Sequence, residues 1–154
     1  MFRFRFEQVL NVRKLAEERI LQEFSEHVRS LESEKERLRS IRGEKAAVLA
    51  DLMRRRDGTL NAGEIGITFG YLRCLRQREV AQAVLVADRE KALEVKREEL
   101  TEAVKRRKIM EILKEKKFAQ YWKEWNHKES MALNEQGIIR FLKRSGDEKT
   151  DHHL

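Results

Sequence analysis

Proline is absent from all 154 residues of the chain, and four of its seven glycines lie between positions 58 and 70. Proline and glycine are the residues that most often make turns, so the chain has few places to reverse direction except this segment. A β sandwich, a β barrel or an alternating α/β sheet needs a turn about every dozen residues, and all three are therefore excluded. The sequence favours an elongated helical protein.

Apolar residues recur at heptad spacing on both sides of the glycine-rich segment. Before it, one heptad position passes through seven residues, most of them apolar: Leu10, Glu17, Phe24, Leu31, Leu38, Lys45 and Leu52. After it, a second heptad position runs through Leu72, Glu79, Val86, Leu93 and Leu100. Such a stripe is typical of the buried seam of a coiled coil, so we predict two long helices, over about residues 4–56 and 64–144.

The segment between these helices, about residues 57–63, carries a helix stop signal and a helix start signal. Gly58 follows three arginines, which suit the negative end of a helix, and Asn61 with Glu64 resembles a capping box. A connection this short makes neighbouring helices antiparallel. The predicted fold is therefore all-α: a long antiparallel two-helix coiled-coil hairpin in which residue i faces roughly residue 118 − i.

This pairing rule leaves the second helix longer than the first. Phe6 would face residues 112 and 113, and the chain from about Phe118 to residue 144 would form a C-terminal helical overhang. We predict one domain over residues 1–144 and a polar disordered tail over residues 145–154. The paired part would be a rod of roughly 75 Å, too thin to hold a small-molecule pocket.

Positive charge is concentrated at the two ends of the chain. The net charge of +7 divides into +4 for residues 1–56, −1 for residues 57–100 and +4 for residues 101–154. This balance favours an acidic partner, which could be a protein, a nucleic acid or a lipid surface. Residues 105–108, Lys-Arg-Arg-Lys, could bind phosphates, although consecutive residues of a helix point in all directions and form no single stripe. A basic coiled coil that binds nucleic acid is therefore an alternative.

The sequence indicates no catalytic, cofactor or metal site. The single cysteine, Cys74, cannot form an internal disulfide, and the four histidines share no spacing with a cysteine, an aspartate pair or a serine. Apolar runs are too short to span a bilayer. We expect neither an enzyme nor a small-molecule substrate, and a cytoplasmic location is the simplest interpretation.

Two groups of apolar side chains are candidate partner sites. Aromatic residues between positions 118 and 125, including Trp122 and Trp125, are either an exposed partner site or packed on the phenylalanines at positions 2, 4 and 6. Near the predicted tip, the second helix carries more apolar side chains than one partner helix can cover: Ile67, Phe69, Tyr71, Leu72 and Leu75, opposite Val48, Leu49 and Leu52. Tyr71 and Leu75 are the candidate contact residues of this group. These residues are either local core or the surface that faces a protein partner.

Three stretches of the chain share the pattern of one protein family. Residues 2–13 read FRFRFEQVLNVR, in which alternating phenylalanines precede a Leu-x-x-Arg step; Tyr71 and Leu75 follow the turn; and residues 108–124 carry a charged Leu-Lys-Glu-Lys segment. In these stretches the chain resembles the FliJ family of flagellar export proteins, over residues 2 to about 142. Residues 134–138 depart from that family, which usually carries an acidic pair and a helical alanine there.

The resemblance implies a cytoplasmic component of the flagellar type III export apparatus, peripherally associated with the inner membrane at the flagellar base and without an active site. FliJ-like proteins are antiparallel coiled coils similar to the stalk subunit of rotary ATP synthases. They are thought to sit in the pore of the hexameric export ATPase and promote its ring assembly. They also contact the cytoplasmic domain of the membrane export gate and recycle export chaperones, and no nucleic acid is expected as a partner.

Carried onto this chain, the resemblance implies two partner-binding regions. The paired ends would enter the ATPase ring, with contacts around Phe6, Leu10, Arg13, Lys108 and Lys114. The tip around Val48, Tyr71 and Leu75 would meet the export gate. The equivalent stalk of a virulence type III secretion system is a variant that the residues leave open.

Overall fold

Two long helices account for almost all of the structure, a computed structural model that describes residues 1–58 and 61–150. Helix α1 is Glu7–Arg54, helix α2 is Ala62–Thr150, and a single 3₁₀ turn, Arg55–Asp57, follows α1. The helices pack against each other, and the described residues contain no strand. The predicted all-α helical hairpin is therefore confirmed.

Helix α1 begins at Glu7, later than the predicted start near residue 4. The backbone N–H of Glu7 donates to the carbonyl oxygen of Phe4 at 3.2 Å, and residues 1–4 have no regular structure. Phe2 and Phe4 are half-buried, whereas Arg3 and Arg5 are exposed. An alternation of two residues suits an extended chain and not a helix, which accounts for the later start.

The end of α1 and the start of α2 follow the predicted stop and start signals. Gly58 adopts the left-handed conformation, with φ of 109°, that commonly ends a helix. The side-chain oxygen of Asn61 accepts a hydrogen bond from the backbone N–H of Glu64 at 2.8 Å, as expected of an N-cap. Thr59 and Leu60, which belong to the predicted tip at about 57–63, lie outside the described residues.

One compact unit comprises Arg13–Lys105 and contains parts of both helices; we call it the tip unit. Its buried apolar side chains lie on or beside the predicted seams: Leu31, Leu38, Leu75, Val86 and Ala103. Ala83 and Leu93 pack against the cluster that Leu31, Leu38 and Val86 form. Burial along these seams is the main source of stability available to such a hairpin.

Side-chain contacts in the tip unit establish the antiparallel register. The pairing rule puts Glu23 opposite residue 95, and its carboxylate accepts a hydrogen bond from Lys96 at 2.7 Å. It puts Glu34 opposite residue 84, and Glu34 accepts a hydrogen bond from Gln82 at 2.6 Å. These two partners lie within two residues of their predicted positions, whereas Lys45, predicted to lie opposite residue 73, meets Glu79.

Polar residues that interrupt the apolar seams of the tip unit meet one another. Lys45 of α1 and Glu79 of α2 occupy seam positions and form an ion pair. Glu34 is a buried carboxylate, and it is satisfied by Gln82 together with Arg37, whose Nη1 lies 3.3 Å away. Because an unpaired buried polar group is costly, these pairs allow charge within the seam.

The second compact unit comprises Met1–Val12 and Arg106–Leu154, and we call it the terminal unit. Leu10 is buried in it, and Nζ of Lys114 lies 2.8 Å from a carboxylate oxygen of Glu7. Side chains 122–144 are all exposed. Helix α2 extends to Thr150, so it includes the first part of the predicted tail, residues 145–154; residues 151–154 lie outside the described residues. The division into one domain and a tail stays a prediction.

Candidate functional site

The residues predicted to contact the ATPase from the terminal unit differ in accessibility. Phe6 is 42% exposed, and the guanidinium carbon of Arg5 lies 5.8 Å from the centroid of its ring. Lys108 is exposed, and Lys114 is half-buried by its ion pair. Leu10 is fully buried, so it can support this surface but does not form it.

The remaining predicted contact residues lie in the tip unit. Leu75 is fully buried, Val48 and Arg13 are half-buried, and Tyr71 is exposed. The hydroxyl of Tyr71 donates a hydrogen bond to the carboxylate of Glu44, and this bond raises the pKa of Tyr71. Glu44 lies one helical turn before Val48, so the hydrogen bond fixes Tyr71 against the same part of α1.

Three exposed apolar side chains near the turn were not among the predicted contact residues. Met53 is 73% exposed, Ile67 is 76% exposed and Phe69 is 55% exposed. Heptads counted back from Leu72 put the seam at positions 65 and 68, so Ile67 and Phe69 fall outside it. The register itself was therefore the signal that could have identified these exposed residues.

Of the four aromatic residues of α2 between positions 118 and 125, Tyr121 is half-buried, whereas Phe118 and the two tryptophans are about half exposed. The ring of Phe2 meets Phe118 edge to face, with centroids 5.4 Å apart, and lies 5.6 Å from Tyr121. Trp122 stacks on Phe118 at 6.5 Å and Trp125 lies 6.3 Å from Tyr121, yet both tryptophans are about half exposed. Packing on Phe2 therefore covers part of the segment, and the two tryptophans remain available to a partner.

Hydrogen bonds between the helices of the tip unit shift the pKa values of several charged groups. A hydrogen bond from Lys96 lowers the pKa of Glu23, and that same bond is the main reason that the pKa of Lys96 is raised. Hydrogen bonds from Lys45 and Arg42 lower the pKa of Glu79. Arg42, Lys45 and Lys96 are therefore each paired with a carboxylate of the opposite helix.

Two of the four cations in the basic run 105–108 are paired along α2. Nζ of Lys105 lies 3.2 Å from a carboxylate oxygen of Glu102, and Nη1 of Arg107 lies 2.6 Å from one of Glu111. Carboxylates this close compete with phosphate groups for the same cations. The geometry therefore weakens the case for a nucleic-acid-binding run.

The described residues offer neither a metal site nor a membrane-spanning segment. Within residues 1–58 and 61–150, no three histidine, cysteine, aspartate or glutamate side chains come together in a way that could hold a metal ion. Over the same residues, neither helix has a segment both long and apolar enough to cross a bilayer. Cys74 is an exposed free thiol.

Comparison with known protein families gives a match over nearly the whole chain. The family model described as Flagellar FliJ protein matches residues 2–146. No curated protein and no solved structure matches the chain significantly. The matched range includes every residue predicted to contact a partner.

Proposed function

Because this chain belongs to the FliJ family of flagellar proteins, we propose that it is a non-enzymatic stalk of the flagellar type III protein export apparatus. Membership of the family gives the chain a role in flagellar export. The proposed stalk promotes ring assembly of the hexameric export ATPase and couples the ring to the membrane export gate and to export chaperones. The family match over residues 2–146 is the observation that carries the proposal.

We assign the ATPase contact to the terminal unit and to Arg13. Phe6 and Lys108 supply exposed surface, Lys114 is held by its ion pair, and Leu10 keeps α1 packed beneath them. Exposed ion pairs contribute only about 0–1 kcal/mol each. A surface of such pairs binds weakly at any one point, which suits a stalk whose contacts change as ATP is hydrolysed.

We assign the export gate to the tip unit and the chaperones to the two tryptophans of α2. Tyr71 and Val48 would form the gate surface, with Leu75 buried beneath it. Trp122 and Trp125 are half-exposed aromatic side chains, a type that often dominates binding energy at protein interfaces. Contact with the gate would place the protein at the cytoplasmic face of the inner membrane, at the flagellar base.

Two observations favour this proposal over the alternatives. The matching family is a flagellar one, which favours a flagellar stalk over the stalk of a virulence secretion system. The pairing of Lys105 and Arg107 with carboxylates of their own helix disfavours binding of nucleic acid.

Purified export ATPase mixed with the full chain tests the proposal. We expect the chain to raise both the fraction of ATPase in hexamers, measured by sedimentation, and the rate of ATP turnover. The double variant Arg13→Glu, Lys108→Glu should lose both effects. The double variant Lys91→Glu, Arg97→Glu is the matched control, because it also reverses two cations, both exposed and both in the tip unit. If the unmodified chain changes neither measurement, the ATPase assignment is wrong.

A further inference from the structure

Two surface grooves adjoin at Phe69 in the tip unit. The first has a volume of about 370 Å³ and an apolar floor that includes Met53, Ile65 and Phe69. The second has a volume of about 380 Å³ and a floor of Leu49, Phe69 and Leu72. Both volumes lie within the range of ordinary binding pockets. Phe69 lines both of them, and we call the two together the Phe69 groove.

The charged residues that line the Phe69 groove are all cations. Arg55 and Arg56 border the first part, and Lys45, Arg73 and Arg76 border the second. Arg55 is bound to Asp51 and Lys45 to Glu79, so the net positive character comes from Arg56, Arg73 and Arg76. Among the described residues that line either part there is no carboxylate. An occupant of the groove would therefore meet an apolar floor with a positive rim.

A neighbouring groove of the same unit has a different character. It is lined by Asp51 and Glu64 in addition to Arg55, and its exposed apolar side chain is Ile67. Ile67 and Phe69 are two residues apart in sequence and are both highly exposed, but they line different grooves. This third groove shares Leu52 and Arg55 with the first part of the Phe69 groove, and its carboxylates, Asp51 and Glu64, line it together with Ile67.

We propose that the Phe69 groove binds an acidic amphipathic helix of a partner protein. Two adjoining apolar recesses suit apolar side chains one turn apart on a helix. The arginines suit carboxylates on either side of that apolar stripe, because guanidinium groups bind carboxylates strongly and directionally. The inference rests on one part of the proposed function, namely that the tip unit contacts a protein partner. It does not depend on the ATPase contact.

An anionic membrane surface is the competing occupant, and Ile67 distinguishes the two. A bilayer would receive any exposed apolar side chain of the tip, so Ile67 would contribute at least as much as the less exposed Phe69. A helix seated in the Phe69 groove would contact Phe69 and not Ile67. The two substitutions therefore make a matched pair within one helical turn.

The test measures binding of a fluorescent synthetic peptide to the full chain by anisotropy. The peptide carries leucines at helical spacing with glutamates on both sides, and a second peptide has lysine at every glutamate position. We expect the acidic peptide to bind, with Phe69→Ala weakening its affinity about tenfold or more and Ile67→Ala leaving it unchanged. The double variant Arg73→Glu, Arg76→Glu should also abolish binding of the acidic peptide. Circular dichroism confirms that each variant is folded.

Several outcomes would overturn the proposal. These are failure of the acidic peptide to bind, equal binding of the lysine peptide, or equal loss in Phe69→Ala and Ile67→Ala. A parallel flotation assay uses vesicles of phosphatidylcholine and phosphatidylglycerol in equal parts. Vesicle binding that depends on Ile67, without peptide binding, would assign the tip to a membrane instead. The fraction of ATPase in hexamers, measured with the same protein preparations, tests the stalk proposal independently of peptide binding.

Discussion

Replacing Leu75 with alanine measures how much of the stability of the tip unit comes from its apolar seam. Leu75 has no exposed surface, so the substitution removes fully buried apolar carbons and leaves a cavity. Truncation of buried leucines destabilises proteins by about 2–5 kcal/mol, depending on how far the site can relax. A seam between two helices has solvent close on both sides and can relax more easily than a thick core. We therefore expect a loss of about 2–3 kcal/mol.

Urea unfolding of the full chain, followed by helical circular dichroism, measures this loss. Val84→Ala is the matched control, because Val84 is on the same helix and is 57% exposed. Its substitution should change the free energy of unfolding by no more than about 0.5 kcal/mol. Alanine has a higher helix propensity than valine, which acts to raise the free energy of unfolding of this control slightly.

Two results would refute this reasoning. One is a loss below about 1 kcal/mol for Leu75→Ala, and the other is an equal loss for both variants. Either would mean that the seam at Leu75 does not hold the tip unit together. The substitution also tests whether Leu75 itself contacts the export gate or only supports the residues that do. Under conditions where the variant stays folded, Leu75→Ala should retain binding to the export gate, whereas Tyr71→Ala should weaken it.

Three further predictions concern pH, the turn and the tryptophans. Glu23 and Glu79 have lowered pKa values, so their contribution to stability is present above the ordinary pKa of 4.5 and is lost as the pH falls. The urea midpoint of unfolding should therefore decrease below pH 4.5. The decrease should be smaller in Glu79→Gln, which lacks one of the two carboxylates. Gly58→Ala should lower the free energy of unfolding by about 1 kcal/mol, because Gly58 has a positive φ. Gly43 lies in a helix interior with open space around it, so Gly43→Ala should raise the free energy of unfolding by about 0.5–1 kcal/mol. Calorimetry measures both changes. Trp122→Ala should weaken pull-down of export chaperones about tenfold with a stability change below about 1 kcal/mol, and unchanged pull-down would remove Trp122 from the chaperone surface.

The helical hairpin was predictable because two independent signals agree. Heptad spacing defines which residues of each helix are buried, and the glycine-rich break defines where the chain reverses. From these alone, Glu23 was placed opposite residue 95, next to its actual partner Lys96. The cap at Asn61 was likewise predictable, because an N-cap depends on a residue type and its local spacing.

Features that depend on which side chains meet across the helices were harder to predict. The sequence showed that Lys45 and Glu79 interrupt their seams, but the pairing rule puts Lys45 opposite residue 73, six residues from its partner, so the rule could not predict this ion pair. The N-terminal residues were assigned to the helix although their alternation is that of an extended chain. Leu75 was predicted to contact a partner and is buried, whereas exposed Phe69 belonged to the same apolar group at the tip but was not chosen as a contact residue. Apolar character alone does not distinguish core from surface.

The polar residues of the seam also disfavour a parallel dimer of this chain. In a parallel dimer of coiled coils each seam residue faces its own copy, so Lys45 would face lysine and Glu79 would face glutamate. Glu34, buried beside Gln82 within one chain, would be buried against a second glutamate. Like charges opposed in a seam are destabilising, whereas folding back within the chain converts them into attractive pairs. The same residues that interrupt the heptads would therefore disfavour the pairing of two newly made chains as a parallel dimer.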